Sequence, residues 1–330
     1  MPPAIPFITR ERLADPRLMA LAIDAIGPAF ASLTGGGLQA PDRTLIQTGA
    51  APPLRQLLVS PVAWPDRARA TVKVTTLTPA NPARGLALIQ GLVLLLDLET
   101  GQPRAMLEGG GLTALRTGAT AGYAAQRLSA PGAADLAVIG AGVQARALID
   151  AMLTVRPIRT VHLASRGRSG LDRLADWVAS RWGRRVDVRV HDDVGAAVAG
   201  ADILCTATST EDPTPLVTPG MARPGTFYAV IGGATEHACE IAPDLLRGAR
   251  VVVETVDGAL AEAGEIRAAL ARGFLHAADL LDLPTLATAP HPPPADRPAT
   301  IFRSVGHAAE DLAVADAVFE AMGGEGGGPL

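Results

Sequence analysis

The hexapeptide Gly140-Ala141-Gly142-Val143-Gln144-Ala145 constrains this chain more than any other feature. It follows the apolar run 135–139 and opens a helix-like segment at 144–153, so it lies where a buried strand turns into a helix. Gly140 permits the tight turn, and Gly142 lets the backbone come close to a bound group. The helix N-terminus behind them presents unpaired N–H groups and the positive end of a dipole to an anion. Ala145 is small enough for the third position of the fingerprint. The reading is a dinucleotide-binding loop, confirmed in sequence terms by the strand before it and the helix after it.

The chain beyond the loop keeps the same rhythm. Apolar runs suited to buried strands recur at 160–164, 186–190, 203–206, 226–231 and 250–254, with helix-like segments between most of them. This predicts an α/β class with a parallel, doubly wound sheet. Aromatic residues make up only 3% of a chain that is 48% apolar, so the cores must be built from Ala, Val, Leu and Ile, as helix-covered parallel sheets are. At 330 residues there is material for two domains. Residues up to about 130 read differently: a helix over 12–33, then β-rich runs at 44–47, 70–76 and 91–96, with turns at 81–85 and 99–103. They predict an antiparallel α+β unit. An Ala-rich helix over 112–128 leads onward, and past residue 254 come a helix over 259–272, a proline-rich loop over 288–298, a final helix over 305–322 and a glycine-rich tail over 323–328. The last helix is expected to pack back on the first domain.

Charge and cysteine content exclude several functions. The formal charge of -4 comes from interspersed acids and bases without a like-charge block, which argues against nucleic acid and against a membrane surface as partners. The most apolar window, 85–98, contains Gln90 and runs into Asp97, short of the roughly 20 apolar residues of a membrane span. Cys205 and Cys239 have no metal-site spacing, so no metal is expected. They read as small buried residues in a reducing cytoplasm, and the first 13 residues do not have the pattern of a secretion signal.

The second strand of the alternation bears on the cofactor. Dinucleotide folds that take NAD place an acid about 20 residues past the loop to hold the ribose 2′-hydroxyl. Here strand 160–164 runs into Ser165-Arg166-Gly167-Arg168-Ser169, with no carboxylate. Ser165 and Arg166, with Arg168 beside them, suit a 2′-phosphate, so NADP(H) is preferred and NAD(H) remains possible.

Four further segments, in order around the loop, carry a resemblance. They are Pro41-Asp42-Arg43-Thr44; Val72-Lys73-Val74 with Asn81-Pro82 and Gly85-Leu86; Leu112-Thr113-Ala114-Leu115-Arg116-Thr117; and Phe302-Arg303-Ser304-Val305-Gly306 with Asp311. With the loop, these resemble the ornithine cyclodeaminase/mu-crystallin family. The resemblance implies a Rossmann-type doubly wound parallel sheet over 116–304, inserted in an α+β substrate and dimerisation domain made of 1–115 and 305–330, and a homodimer. It implies that Arg43, Lys73 and Arg116 hold the α-carboxylate of a small cyclic imino acid or amino acid, and that Thr117, Gly140, Gly142, Val143, Gln144, Thr206 and Ser304 contact the cofactor. The chemistry is apt: a guanidinium can grip a carboxylate with two N–H groups, and an amine in an apolar strand can have a lowered pKa and pass a proton. Lys73 is also the only lysine in the chain, which otherwise uses arginine throughout.

One departure bears on the reaction. Cyclodeaminases of this family carry a catalytic aspartate after the strand at 226–231, followed by a lysine and a glutamate. This chain reads Gly232-Gly233-Ala234-Thr235-Glu236-His237-Ala238-Cys239-Glu240: Ala234 stands at the aspartate position, Ala238 at the lysine position, and Glu240 matches the glutamate. Deamination with ring closure needs a base at several steps, whereas reduction of a preformed cyclic imine needs a carboxylate clamp, a hydride and one proton. Family members that reduce cyclic ketimines also lack the aspartate. The expectation is therefore an NADPH-dependent ketimine reductase acting on Δ1-pyrroline-2-carboxylate or Δ1-piperideine-2-carboxylate. The rival readings are a cyclodeaminase or amino-acid dehydrogenase that uses a substitute base such as Glu236, His237 or His307, and a mu-crystallin-like binding protein for NADP and small ligands.

Overall fold

The computed structural model describes residues 5–49, 54–210, 212–233, 237–290 and 297–324. The chain divides into two compact units, Met1–Arg116 with Ala308–Leu330, and Thr117–His307.

The first unit is built on a six-stranded sheet of β1 (Phe7–Ile8), β2 (Thr44–Thr48), β3 (Arg55–Trp64), β4 (Arg69–Leu77), β5 (Ile89–Asp97) and β6 (Pro103–Glu108), in the order β1-β6-β5-β4-β3-β2. Neighbours are antiparallel except for β1, which runs parallel to β6. Strand alternation sorts β4 cleanly: Thr71, Lys73 and Thr75 are buried, while Val74 and Thr76 are exposed. Helix Ala308–Ala321 packs on β3, β4 and β5 and against helix Arg17–Thr34. The last helix thus returns to the first part of the chain. Arg17–Thr34 is apolar and long enough to cross a membrane, but Leu18, Ile23, Ile26 and Phe30 are fully or almost fully buried in this unit, which accounts for its composition.

The second unit holds an eight-stranded sheet of β7 (Asp135–Ile139), β8 (Thr160–Ala164), β9 (Asp187–Val190), β10 (Ile203–Thr206), β11 (Phe227–Val230), β12 (Arg250–Val253), β13 (Leu281–Asp282) and β14 (Thr300–Arg303). Every pairing is parallel, in the order β13-β12-β14-β11-β10-β7-β8-β9. Ala137 and Ile139 join Ala197, Val198 and Ile266 in one core, so the alternate residues Leu136 and Val138, equally buried, face the opposite side. This is the Rossmann-type, doubly wound arrangement. Strand order reverses between β7 and β10, and such a switch point opens a crevice at the carboxyl ends of the strands.

Local departures from the sequence reading have physical causes. The first helix is two: Arg10–Leu13, capped by the Thr9 hydroxyl, and Arg17–Thr34, which restarts after Pro16 because the residue before a proline is driven out of the helical region. The helix expected over 259–272 is also two, Val256–Glu262 and Gly264–Ala271, broken at extended Ala263. Gly264 there lies against the Ala238 backbone, where a Cβ would come within 3.1 Å of its carbonyl carbon. The break turns Glu265 inward. Strands β1, β3, β13 and β14 and helix Leu283–Thr288 were not foreseen; the helix overlaps the start of the expected loop, and residues 291–296 of that loop and 325–330 at the glycine tail lie outside the described residues. The final helix begins at Ala308, later than expected, because the Glu254 carboxylate holds the N–H groups of Val305 and Gly306 at 3.0 and 3.2 Å.

Glu265 and Arg303 form an enclosed ion pair in the second unit. Arg303 Nε donates to Glu265 Oε2 at 2.8 Å, and both residues are at most 2% exposed. The same carboxylate accepts the Glu240 backbone N–H at 2.7 Å. Removing one partner of such a pair leaves a buried charge unmatched, at a cost of roughly 3–5 kcal/mol. Glu265→Ala is expected to lower the stability to urea by about that amount; a change below about 1 kcal/mol would refute the structural weight given to this pair.

Candidate functional site

The glycine loop sits at the switch point of the parallel sheet. Gly140 has φ of 119°, and a Cβ there would lie 2.5 Å from the Ala207 carbonyl oxygen just past β10, so only glycine fits. Gly142, in contrast, faces open space, with nothing within 4 Å of an added Cβ. It is the N-cap of helix Val143–Val155 and makes no side-chain hydrogen bond to the first turn. Val143 is 64% exposed. Among the described residues the Gln144 Oε1 atom is buried without a hydrogen-bond partner. A helix start without a side-chain cap and an open cradle before it fit a dinucleotide pyrophosphate, while the Gln144 oxygen, an acceptor, calls for a donor instead.

Ser165 and Arg166 follow β8 directly, Ser165 half-buried and Arg166 exposed. Arg168 is differently placed: its guanidinium reaches Asp172 at 2.9 Å and Asp192 at 3.1 Å. Of the two arginines read beside Ser165, one is therefore shared with acids. Thr206 is fully buried, and its hydroxyl donates to Glu240 Oε2 at 2.7 Å. The Ser304 hydroxyl donates to Glu254. Thr117 is buried in helix Gly109–Leu128.

In the first unit Lys73 occupies an inward position of β4 and is 8% exposed. Its Nζ donates to Asp311 Oδ1 at 2.9 Å, and the same oxygen lies 3.3 Å from Arg116 Nε. Arg116 Nη1 donates to Glu310 Oε2 at 2.6 Å, and Glu310 is fully buried. Two cations and two anions are thus joined through Asp311. Burial pushes the Lys73 ammonium below its ordinary range; Asp311 counters that most strongly, Arg116 adds to it and Glu310 counters it further. Arg43 is exposed, immediately ahead of β2. Glu310 went unread in the sequence. Two acids in the first turn of a helix look like ordinary partners of its dipole, and only the tertiary structure shows what they face.

The region that carries the departure is described in part. Ala234 and Glu236 lie outside the described residues; His237 is exposed and His307 half-buried. Glu240 is fully buried and accepts from Thr206 Oγ1, Thr208 N, Thr208 Oγ1 and Gly232 N, each at 2.7 Å. Burial pushes its pKa up, and those donors pull against the shift. Among the described residues no cluster of three or more His, Cys, Asp or Glu could hold a metal ion.

The sequence profile of the ornithine cyclodeaminase/mu-crystallin family matches residues 7–326. The chain is 31% identical over 252 residues to a Delta(1)-pyrroline-2-carboxylate reductase of Bacillus cereus strain ZK / E33L, covering 76% of each chain. Among solved structures it is similar to Thermococcus litoralis Delta(1)-pyrroline-2-carboxylate reductase in complex with NADH and L-proline, with a TM-score of 0.89 and 28% identity over 99% of this chain and 100% of that one. It is also similar to an archaeal alanine dehydrogenase dimer with bound NAD, with a TM-score of 0.85 and 26% identity over 98% of each.

Neither cysteine has the character of a nucleophile. Cys205 is fully buried, and desolvation pushes its thiol far up; Cys239 is 4% exposed and pushed up to about 11. At pH 8 the thiolate fraction of Cys239 is then roughly one in a thousand. An aromatic disulfide reagent added to the native protein is expected to release no thiolate rapidly, and to react with both cysteines after denaturation. Rapid reaction of either one in the native state would overturn this.

Proposed function

Because the chain belongs to the ornithine cyclodeaminase/mu-crystallin family, we propose that it reduces a cyclic ketimine carboxylate, Δ1-pyrroline-2-carboxylate or Δ1-piperideine-2-carboxylate, to L-proline or L-pipecolate. The observation that carries this reading is the cluster around Lys73. A desolvated amine held between an acid and an arginine suits proton delivery to an imine nitrogen, and the absence of an acid at Ala234 removes the base that deamination requires. The names of the Bacillus and Thermococcus relatives support the same reaction class.

In this mechanism Arg43 and Arg116 orient the substrate carboxylate, and Lys73 gives the proton that the ring nitrogen takes up. The nicotinamide nucleotide, when bound, supplies the hydride. Gly140 lets the loop close against Ala207, Gly142 leaves the space for the pyrophosphate open, and the helix behind them offers N–H donors. Thr117, Val143, Gln144, Thr206 and Ser304 line the cofactor, with Thr206 and Ser304 acting through their ties to Glu240 and Glu254. NADPH is the preferred donor: no acid follows β8 to claim a ribose hydroxyl, and Ser165 with exposed Arg166 meets a 2′-phosphate.

The working form is a homodimer. The outward face of the first unit's sheet carries apolar residues in two neighbouring rows: Val59, Val74 and Leu92 pair in succession across β3, β4 and β5, and beside them Ile46 pairs with Leu57 in a row that continues into Thr76 and Gln90. Ile46, Val74 and Leu92 are 48%, 41% and 47% exposed, and large apolar side chains grouped on one face of a folded unit call for a cover. A second copy presents the same face, as a two-fold interface requires.

Two experiments test the proposal. Mixed with either ketimine, the protein is expected to consume NADPH, Lys73→Ala to lose at least about a hundredfold in kcat, and Arg166→Ala to reduce the NADPH over NADH preference about tenfold, or about 1.4 kcal/mol. Ammonia release from ornithine without ketimine turnover would overturn the reductase. For the assembly, light scattering is expected to give twice the chain mass, and Leu92→Arg to give the single-chain mass; a wild-type monomer refutes it.

A further inference from the structure

Asp311 has no assigned part in the reaction, yet it is the group through which the Lys73 cluster is joined. It stands in the first turn of helix Ala308–Ala321 and is 4% exposed. Its Oδ1 atom accepts a hydrogen bond from Lys73 Nζ at 2.9 Å and faces Arg116 Nε at 3.3 Å. Three separate elements converge on that one oxygen: strand β4, helix Gly109–Leu128 and the final helix. The charged groups acting on Lys73 are Asp311 and Glu310 from the final helix and Arg116 from helix Gly109–Leu128.

Each of these acts in a definite direction. Burial works against the ammonium, and Arg116 works against it as well. Glu310 is spent on Arg116 at 2.6 Å. Among the described residues Asp311 is the group in hydrogen-bond contact with Nζ, and it is the principal counter-charge. An amine in this position needs such a partner for two reasons: without it the nitrogen has no reason to stay charged away from water, and no fixed direction in which to aim its remaining protons.

We infer that Asp311 is a positioning residue for the reaction proposed above: it holds the Lys73 ammonium in place and charged, so that one of its other protons points to the imine nitrogen. In the step itself one Lys73 N–H bond breaks and one N–H bond forms on the ring nitrogen. The hydride from the reduced nicotinamide goes to the ring carbon, the nucleotide is oxidised and the imine is reduced. The neutral Lys73 amine keeps its remaining hydrogen bond to Asp311, and solvent returns the proton. The carboxylate never touches the substrate. Its removal therefore affects the proton step more than binding.

Because Lys73 is the only lysine, its state can be read directly. Protein made with carbon-13 lysine has one side-chain Cε resonance, whose shift against pH gives the midpoint of Lys73 without any substrate. In Asp311→Asn this midpoint is expected to fall by at least about one pH unit relative to wild type, since the favourable charge is lost while the burial remains. In the ketimine assay the same variant is expected to lose about a hundredfold in kcat with less than a threefold change in KM, and the alkaline limb of its pH profile is expected to move down with the resonance. Asp311→Glu, which keeps the charge, is expected to restore the midpoint to within half a unit of wild type. An unchanged midpoint in Asp311→Asn overturns the inference, as does a loss confined to KM. A wild type that reduces no ketimine while the midpoint still shifts refutes the proposed substrate and leaves the Asp311–Lys73 link standing.

Discussion

Charge taken out of water has to be matched by donors or by opposite charge, and in this chain that requirement fixes where the strands of the parallel sheet end. Glu240, Glu254 and Glu265 are each at most 1% exposed. Glu240 gathers donors from the ends of β10 and β11, Glu254 gathers the residues that follow β14, and Glu265 ties Arg303 to the Glu240 backbone. Arg303 completes the set by donating to the carbonyls of Ser304 and Gly233 at 2.6 and 2.7 Å. Loops that could otherwise vary are pinned at the edge where a dinucleotide fold carries its ligand. The same requirement governs the first unit, where Lys73 and Arg116 lie inside only because Glu310 and Asp311 lie there too.

What could be read in the sequence was local. The turn at Gly140 announces itself because its glycines have no other use, and β7, β8 and β10 stand where uninterrupted apolar runs place them. β3 was lost because Ser60-Pro61 interrupts its apolar run, although its pairing with β4 continues through Ser60 and Pro61. β14 was lost because it follows a proline-rich stretch and is only four residues long. Its place between β11 and β12 is a property of the sheet, which no window of sequence contains. The site divides in the same way. The cations were visible as residue types, and Lys73 stood out by being alone; their counter-charges come from 238 and 194 residues away, and no periodicity links them.

The late position of β14 in the chain has a consequence for the order in which the protein is made. β11 and β12 are both synthesised well before the strand that separates them, and roughly 50 residues must follow β12 before β14 emerges, on the order of several seconds at cellular rates of translation. Through that interval the nascent sheet carries two unfinished edges of bare N–H and C=O groups, each flanked by apolar side chains. The first unit waits as well, since the helix that covers its sheet and supplies Asp311 follows β14 in the chain. Neither sheet can therefore be completed as its early strands appear, and both depend on contacts distant in sequence.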